Sequence, residues 1–323
     1  MNHKLTKGVA CVAYWSGLDA LFYRLNRKAK HVITFHNILP DEIFLRNVAN
    51  GVSNSASEFR FIVRELKKRW RFSTDLEDAS TITLTFDDGY LNQYEVAAEI
   101  LREEGDIPAI LFSSGDVADG KMLMVDRLLH WAALVPKHVI LRLGCTDAFE
   151  LWVGKLWPEF VADVEFRGQK VYDRLNATYP FEKIFASMNP EYRRLRLSGI
   201  DAMRMDDLRS RGWKIGYHTK SHYPLALLAD EAKIAEMTPP AEMRDVVFSY
   251  PYGEEQSVGK RSLAIAESLG YPAAVSNTTD PTVMQGVYFK PRMALAPNRC
   301  LLHLELSGLK HFLKFGKLLD RAK

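Results

Sequence analysis

Cysteine is scarce in this 323-residue chain: Cys11, Cys145 and Cys300 are odd in number and far apart. They make neither a disulfide framework nor a C-x-x-C metal pair, so three reduced, mostly buried thiols are expected. No apolar stretch approaches the ~20 consecutive residues that a bilayer-spanning helix needs. Charge of one sign is lacking as well. The 43 Lys and Arg nearly balance the 40 Asp and Glu, and the net +3 is too small to imply nucleic acid as a partner. Internal repeats and low-complexity segments are absent. What remains is 47% hydrophobic and 26% charged, an ordinary globular composition, and the length suits one large α/β domain or two smaller ones.

The two ends are distinctive. Residues 1–29 place basic residues before a short apolar run, as a signal peptide would. Asp19 interrupts that run and no A-x-A-like cleavage site follows. Leu18, Leu21, Phe22 and Leu25 stand at i, i+3, i+4 and i+7, which predicts an amphipathic helix, either packed or lying on a membrane surface. An uncleaved anchor or signal is the alternative. The tail 309–323 predicts a second amphipathic helix, with Leu309, Phe312, Leu313 and Leu319 apolar and Lys310, Lys314, Lys317 and Arg321 basic. Such a helix either packs on the body of the protein or makes peripheral contact with an anionic membrane.

Between the ends, short apolar runs predict seven strands at 31–36, 81–86, 108–113, 213–218, 246–250, 273–276 and 286–290. Helical patterns separate several of them: YLNQYEVAAEILREEG runs to a natural stop at Gly105, and SVGKRSLAIAESLG to one at Gly270. Strands alternating with helices imply a mainly parallel sheet, open or closed into a barrel, with its chemistry at the C-terminal strand ends. Residues 119–200 break this rhythm. They are rich in aromatics and mostly helical in pattern, with one possible strand at 138–143. No Pro/Gly/Ser-rich linker bounds them, so they read as an insertion on the domain 30–308.

Three strand ends carry polar groups. TLTFDDGY puts the adjacent carboxylates Asp87 and Asp88 after the second strand. GYHTKSHY puts His218 and His222 four residues apart after the fourth, a spacing that can bring two imidazoles to one metal ion. FSYPYGEE ends the fifth strand in a rigid turn. Each is bland by itself: a turn, two surface histidines, another turn. All three are expected at one rim, however, and two imidazoles with one carboxylate leave a position open for water, as at catalytic zinc. A metal lowers the pKa of bound water from ~15.7 to about 7, and a second carboxylate kept ionised nearby can take the proton. One aspartate would hold the metal and its neighbour would act as base.

Together these blocks resemble the polysaccharide deacetylase (NodB-homology, carbohydrate esterase family 4) superfamily. Its T-F-D-D-G motif stands at residues 85–89, its histidine motif at 218–222, and the R-x-P-Y-G motif at 249–253. The lead-in MRMDDLRSRGWKIGYHTKSH and the opening strand HVITFHNILPDE are similar too. The resemblance implies a distorted (β/α) barrel of about seven strands and metal-dependent removal of N-acetyl groups from amino sugars. It implies Asp87 as catalytic base, and Asp88, His218 and His222 as ligands of a divalent metal, expected to be Zn2+. It also implies the Tyr252 backbone N–H as an oxyanion donor.

Two positions depart from the family pattern. Its third-motif arginine is Ser249 here, and Arg292 in YFKPRMALAP is the candidate to pair with Asp87 instead. Its late histidine acid has no clean match. His303 sits in a helical pattern and reads as structural, whereas His36, at the end of the first strand, is better placed to be the acid. The expected partner is an amino-sugar glycan of a surface polysaccharide or its lipid-linked precursor, with no nucleic acid, and the expected location is cytoplasmic or membrane-associated, with a periplasmic or anchored location as the alternative. Alternatives are a deformylase or deacylase of a lipid-linked aminosugar and an inactive NodB-fold carbohydrate-binding protein. The second is disfavoured because base and ligands are all present.

Overall fold

The run Thr81–Asp88 is the strand from which the architecture is built, and all eight of its residues are buried. Strands covered on both faces are typical of parallel sheets, and every pairing in this sheet is parallel. The computed structural model describes residues 3–243, 247–278 and 286–319. In chain order the strands are β1 (His31–Phe35), β2 (Ile38–Leu39), β3 (Asn54–Ser55), β4 (Arg71–Phe72), β5 (Thr81–Asp88), β6 (Ile110–Ser113), β7 (Lys214–Tyr217), β8 (Phe248–Ser249), β9 (Ala274–Ser276) and β10 (Lys290–Pro291). The main sheet runs β1-β5-β6-β7-β8-β9-β10, with β4 added on β5, while β2 and β3 form a separate pair. Just past β10, Met293 exchanges two hydrogen bonds with β1, from Thr34 N–H to its carbonyl (3.0 Å) and from its own N–H to the Val32 carbonyl (3.0 Å). Seven strands thereby close into a distorted (β/α) barrel.

Alternation along the strands divides the core in two. One set of side chains, including Ile33, Phe35, Ile82, Leu84, Phe86 and Phe248, packs outward against the helices. The other set fills the barrel, with Val32, Ile110, Phe112, Val247 and Val275 forming its apolar part. Thr83, Thr85, Asp87, Ser249, Ser276 and Arg292 are also fully or almost fully buried. A barrel of this size is a packed core, and its chemistry belongs at the rim.

Three expectations need correction. The last strand lies at Lys290–Pro291 rather than 286–290, because the residues from Gly286 (φ 133°) make a turn closed by the Phe289 N–H on the Gly286 carbonyl. Residues expected as a strand at 138–143 form the helix Lys137–Arg142. With no strand alongside, only a helix satisfies that backbone internally, and the burial of Val139 and Ile140 overrides their β preference. The C-terminal helix is shorter than expected. It covers Leu309–Phe315 and stops at Gly316 in the left-handed conformation (φ 68°), the usual helix-ending device. Arg321 lies outside the described residues. Leu309, at the start of this helix, is buried in the small core shared with the N-terminal helices.

Residues 119–200 form seven α-helices, from Met124–Leu134 to Pro190–Leu197. Their buried side chains belong to the same core cluster as the outer faces of the strands. The segment returns directly onto the motif after β5, where the Leu91 N–H bonds to the Ser198 carbonyl (2.8 Å) and the Ile200 N–H to the Gly89 carbonyl (2.9 Å). At the N-terminus, helices His3–Trp15 and Leu18–Leu25 dock on Arg299–Leu306 and share a small core of Ala10, Ala13, Phe22, Leu304 and Leu309. His303 lies in this region, buried and hydrogen-bonded through Nδ1 to the Tyr23 hydroxyl (2.8 Å).

Candidate active site

Two adjacent carboxylates end β5, and the backbone sends them apart. Asp88 has φ 80°, a conformation in which an L-residue with a Cβ costs about 1–3 kcal/mol. Gly89 follows at φ 92°, packed so closely that a Cβ there would lie 2.2 Å from Ser113 Oγ. The turn leaves Asp87 in the barrel interior and directs Asp88 to the rim. Of the six non-glycine residues with left-handed backbone among the described residues, four surround this site: Asp88, Thr219, His222 and Tyr252. Strain of this kind collects where structure is held for function.

Asp87 is fully buried and gripped by the Arg292 guanidinium through two parallel hydrogen bonds, Nη1 to Oδ1 (2.7 Å) and Nη2 to Oδ2 (2.6 Å). Arg292 is itself fixed, donating to Thr85 Oγ1 (3.0 Å) and Ser249 Oγ (2.9 Å). Ser249 Oγ also donates to Asp87 Oδ1 (3.2 Å). Burial alone would raise the Asp87 pKa, but the charge and hydrogen bonds of Arg292, with His218 and His36 beside it, together outweigh burial and hold the carboxyl well below the usual carboxylate range. The strand position that carries an arginine in the resembling family thus holds a serine here, and the guanidinium arrives from the strand that closes the barrel.

His218 and His222 sit in a loop after β7. His218 Nδ1 lies 2.8 Å from the Ser249 carbonyl, which can only accept, so Nδ1 carries the hydrogen and the Nε2 lone pair is free. That Nε2 is 3.7 Å from Asp88 Oδ1, and His222 Nε2 is 3.5 Å from the same oxygen. Burial lowers both imidazole pKa values, that of His218 to about 3, so both rings are neutral at ordinary pH. The loop is pinned from outside. Glu236 accepts from the Ser221 N–H and hydroxyl (both 2.8 Å), Gly115 N–H donates to the Thr219 carbonyl (3.0 Å), and Asp116 N–H donates to the Lys220 carbonyl (2.8 Å).

Asp88, His218 and His222 are all buried, and their ligand atoms lie within 4.8 Å of one another. Asp88 Oδ1 and His222 Nδ1 have no hydrogen-bond partner among the described residues. Burial, reinforced by the nearby Asp126 and Asp87 carboxylates, pushes the Asp88 carboxyl up to about 7 against the opposing pull of His36 and Arg196. Three converging electron-pair donors fit a divalent metal, whose charge would stabilise the Asp88 anion, and two nitrogens with one oxygen fit zinc.

The other sequence candidates are at the same rim. His36, just past β1, has Nε2 3.8 Å from Asp87 Oδ2 and keeps 19% of its side chain exposed, so it borders the mouth. Tyr252 (φ 60°) belongs to the turn after β8, and its hydroxyl donates to the His222 carbonyl (3.2 Å). No acceptor among the described residues takes the Tyr252 N–H. His303 is the candidate that lies elsewhere. Sequence reading missed Glu236, which braces the histidine loop, and Trp157, whose ring meets Tyr252 edge-on at 5.0 Å and brings the insertion onto the site. It also missed the buried pair Arg196–Asp126 (2.6 Å), which accepts the Tyr90 hydroxyl next to the β5 motif. None of these has a local sequence signal, since each is fixed by helix packing.

A parallel barrel with a carboxylate, two imidazoles and a clamped aspartate at one rim defines the class to which comparison applies. Neither a protein-family model nor a curated protein matches the sequence. Among solved structures, the Streptococcus pyogenes deacetylase PplD, determined in complex with acetate, is similar at a TM-score of 0.52 and 14% identity, covering 86% of this chain and 97% of that one. IcaB from Ammonifex degensii gives a TM-score of 0.46 at 15% identity, covering 87% and 97%. A de-N-acetylase from Aggregatibacter actinomycetemcomitans gives 0.46 at 12%, covering 83% and 95%. At these identities the likeness to PplD is one of fold.

Proposed function

We propose that this protein is a metal-dependent hydrolase that removes N-acetyl groups from amino sugars of a surface polysaccharide or its lipid-linked precursor. The observation that carries the reading is the convergence of three buried ligand atoms, from Asp88, His218 and His222, beside an Arg292-clamped carboxylate. The motif resemblance and the fold shared with a deacetylase support it.

In this reading Asp88, His218 and His222 hold a zinc ion, which when bound supplies Lewis acidity at the amide carbonyl and a water of lowered pKa. Asp87, anionic at any working pH, accepts the proton of the attacking water. Its two oxygens are already engaged by Arg292, which fixes where the proton is taken and makes Asp87 a weak, well-oriented base rather than a strong one. The Tyr252 N–H donates to the oxygen that becomes negative as the carbonyl carbon turns tetrahedral. His36, at the mouth, returns a proton to the sugar nitrogen as the C–N bond breaks, releasing acetate and a free amine.

Metal content measured together with acetate release from N-acetylated glycans tests the assignment. We expect zinc near one per chain and acetate production that a chelator abolishes and added zinc restores. Formate or a longer acyl acid as the product would move the reading to deformylation or deacylation of a lipid-linked aminosugar, which uses the same residues. A metal-free protein that hydrolyses nothing would refute it.

A further inference from the structure

The two chain ends come together on one side of the barrel and leave an apolar surface uncovered. Helix Leu18–Leu25 buries Phe22, whose ring meets Phe312 of the C-terminal helix at 5.1 Å. Asn26 stitches the two ends further, donating to the Ser307 carbonyl (2.7 Å) and accepting from the Leu319 N–H (3.0 Å). Beside this seam Leu18, Leu21 and Leu25 form one stripe of the helix, 42%, 50% and 44% exposed, with Leu313 at 56% across the seam. Trp15, at the turn into the same helix, is 80% exposed. Single exposed leucines are ordinary, but a stripe extended across two elements with a tryptophan at its margin marks an interaction surface.

Charge identifies what it meets. Residues 1–30 and 308–323 hold 11 of the 43 Lys and Arg but only 2 of the 40 Asp and Glu, so the ends carry +9 and the rest of the chain −6. Asp19, one of those two acids, is buried. Arg24, Arg27, Lys28, Lys314 and Lys317 are exposed and make no ion pair among the described residues. A second copy meeting this surface face to face would oppose like charges. An anionic lipid surface matches both the apolar stripe and the basic surround, and tryptophan favours the bilayer interface.

We infer that the paired chain ends form a docking surface for an anionic lipid bilayer, holding the protein peripherally. No helix among the described residues is long and apolar enough to cross a membrane. Helix Leu18–Leu25 leads into the start of β1, and its Tyr23 ring meets Trp70 just ahead of β4 (5.7 Å). In this parallel sheet the surface therefore lies at the end opposite the Asp88 rim, and a docked protein keeps its mouth open to a glycan.

Co-sedimentation of the full chain with phosphatidylcholine vesicles, and with phosphatidylcholine–phosphatidylglycerol vesicles, tests this independently of any hydrolytic activity. Binding is expected to the mixed vesicles and to weaken in high salt. Leu21→Glu with Leu25→Glu should weaken it by at least about tenfold, because both side chains are lost from the lipid interface. Arg24→Gln, Arg27→Gln and Lys28→Gln together should remove the preference for anionic lipid. All these side chains are exposed, so melting curves by circular dichroism should be unchanged. No binding of the intact chain to mixed vesicles at low salt would overturn the inference, as would binding unaffected by either set of substitutions. Concentration-dependent dimerisation without lipid, abolished by the leucine substitutions, would overturn it by assigning the surface to a second copy.

Discussion

Replacing Asp87 by asparagine keeps the shape of the side chain and removes its capacity to accept a proton. The Asp87→Asn variant should therefore retain zinc, measured by elemental analysis, while turnover falls about 10²–10⁴-fold, the usual worth of general-base assistance. Arg292 acts through Asp87, and only a planar fork matches both carboxylate oxygens. Arg292→Lys should lower kcat with little change in KM, a split that simple loss of stability would not produce. Arg292→Ala removes one partner of a fully buried pair and should destabilise the fold by about 3–5 kcal/mol in chemical denaturation. A kcat for Arg292→Lys equal to that of the parent would show that the orientation of Asp87 is not limiting.

At the scale of elements, the insertion and the barrel are joined by charge as well as packing. Asp126 on helix Met124–Leu134 and Arg196 on helix Pro190–Leu197 form a buried ion pair that also receives the Tyr90 hydroxyl. Burial alone would raise the Asp126 pKa, yet Arg196 and its neighbours bring it below the ordinary aspartate value. Its contribution to stability is therefore complete above the unfolded-state pKa of ~3.9 and is lost as pH falls through the lower folded value. Trp131, Trp152 and Trp157 lie in this insertion, so tryptophan fluorescence should report its loosening in acid, and Arg196→Met should move that transition to higher pH. Much of this level was hidden from sequence. Asp87, Asp88, His218 and His222 were legible because strand ends carry compact motifs, and the barrel because apolar runs alternate with helical patterns. Trp157, Glu236 and Arg196 were not, because their positions are set by how helices pack tens of residues from the motifs. The 138–143 segment misled because β-branched residues report burial as readily as strand.

For the whole molecule, the proposed metal site would couple metal binding to folding. A cation that relieves the crowding of Asp88, His218 and His222 binds the folded chain alone and should raise Tm progressively with zinc concentration; at 100 times Kd the gain is about 2.7 kcal/mol. His222→Ala should abolish that rise in a thermal melt, and a zinc-dependent shift that survives the substitution would place the metal elsewhere. The closing seam of the barrel has a consequence of another kind, in the order in which the chain is made. Asp87 and Arg292 stand 205 residues apart. At ~5–20 residues per second, synthesis leaves the aspartate about 10–40 s without its guanidinium. Through that interval the carboxylate has no partner that would let it be buried, and nothing fixes its orientation. A nascent chain thus lacks the clamped carboxylate on which the proposed chemistry depends, and only the last strand to emerge supplies the clamp.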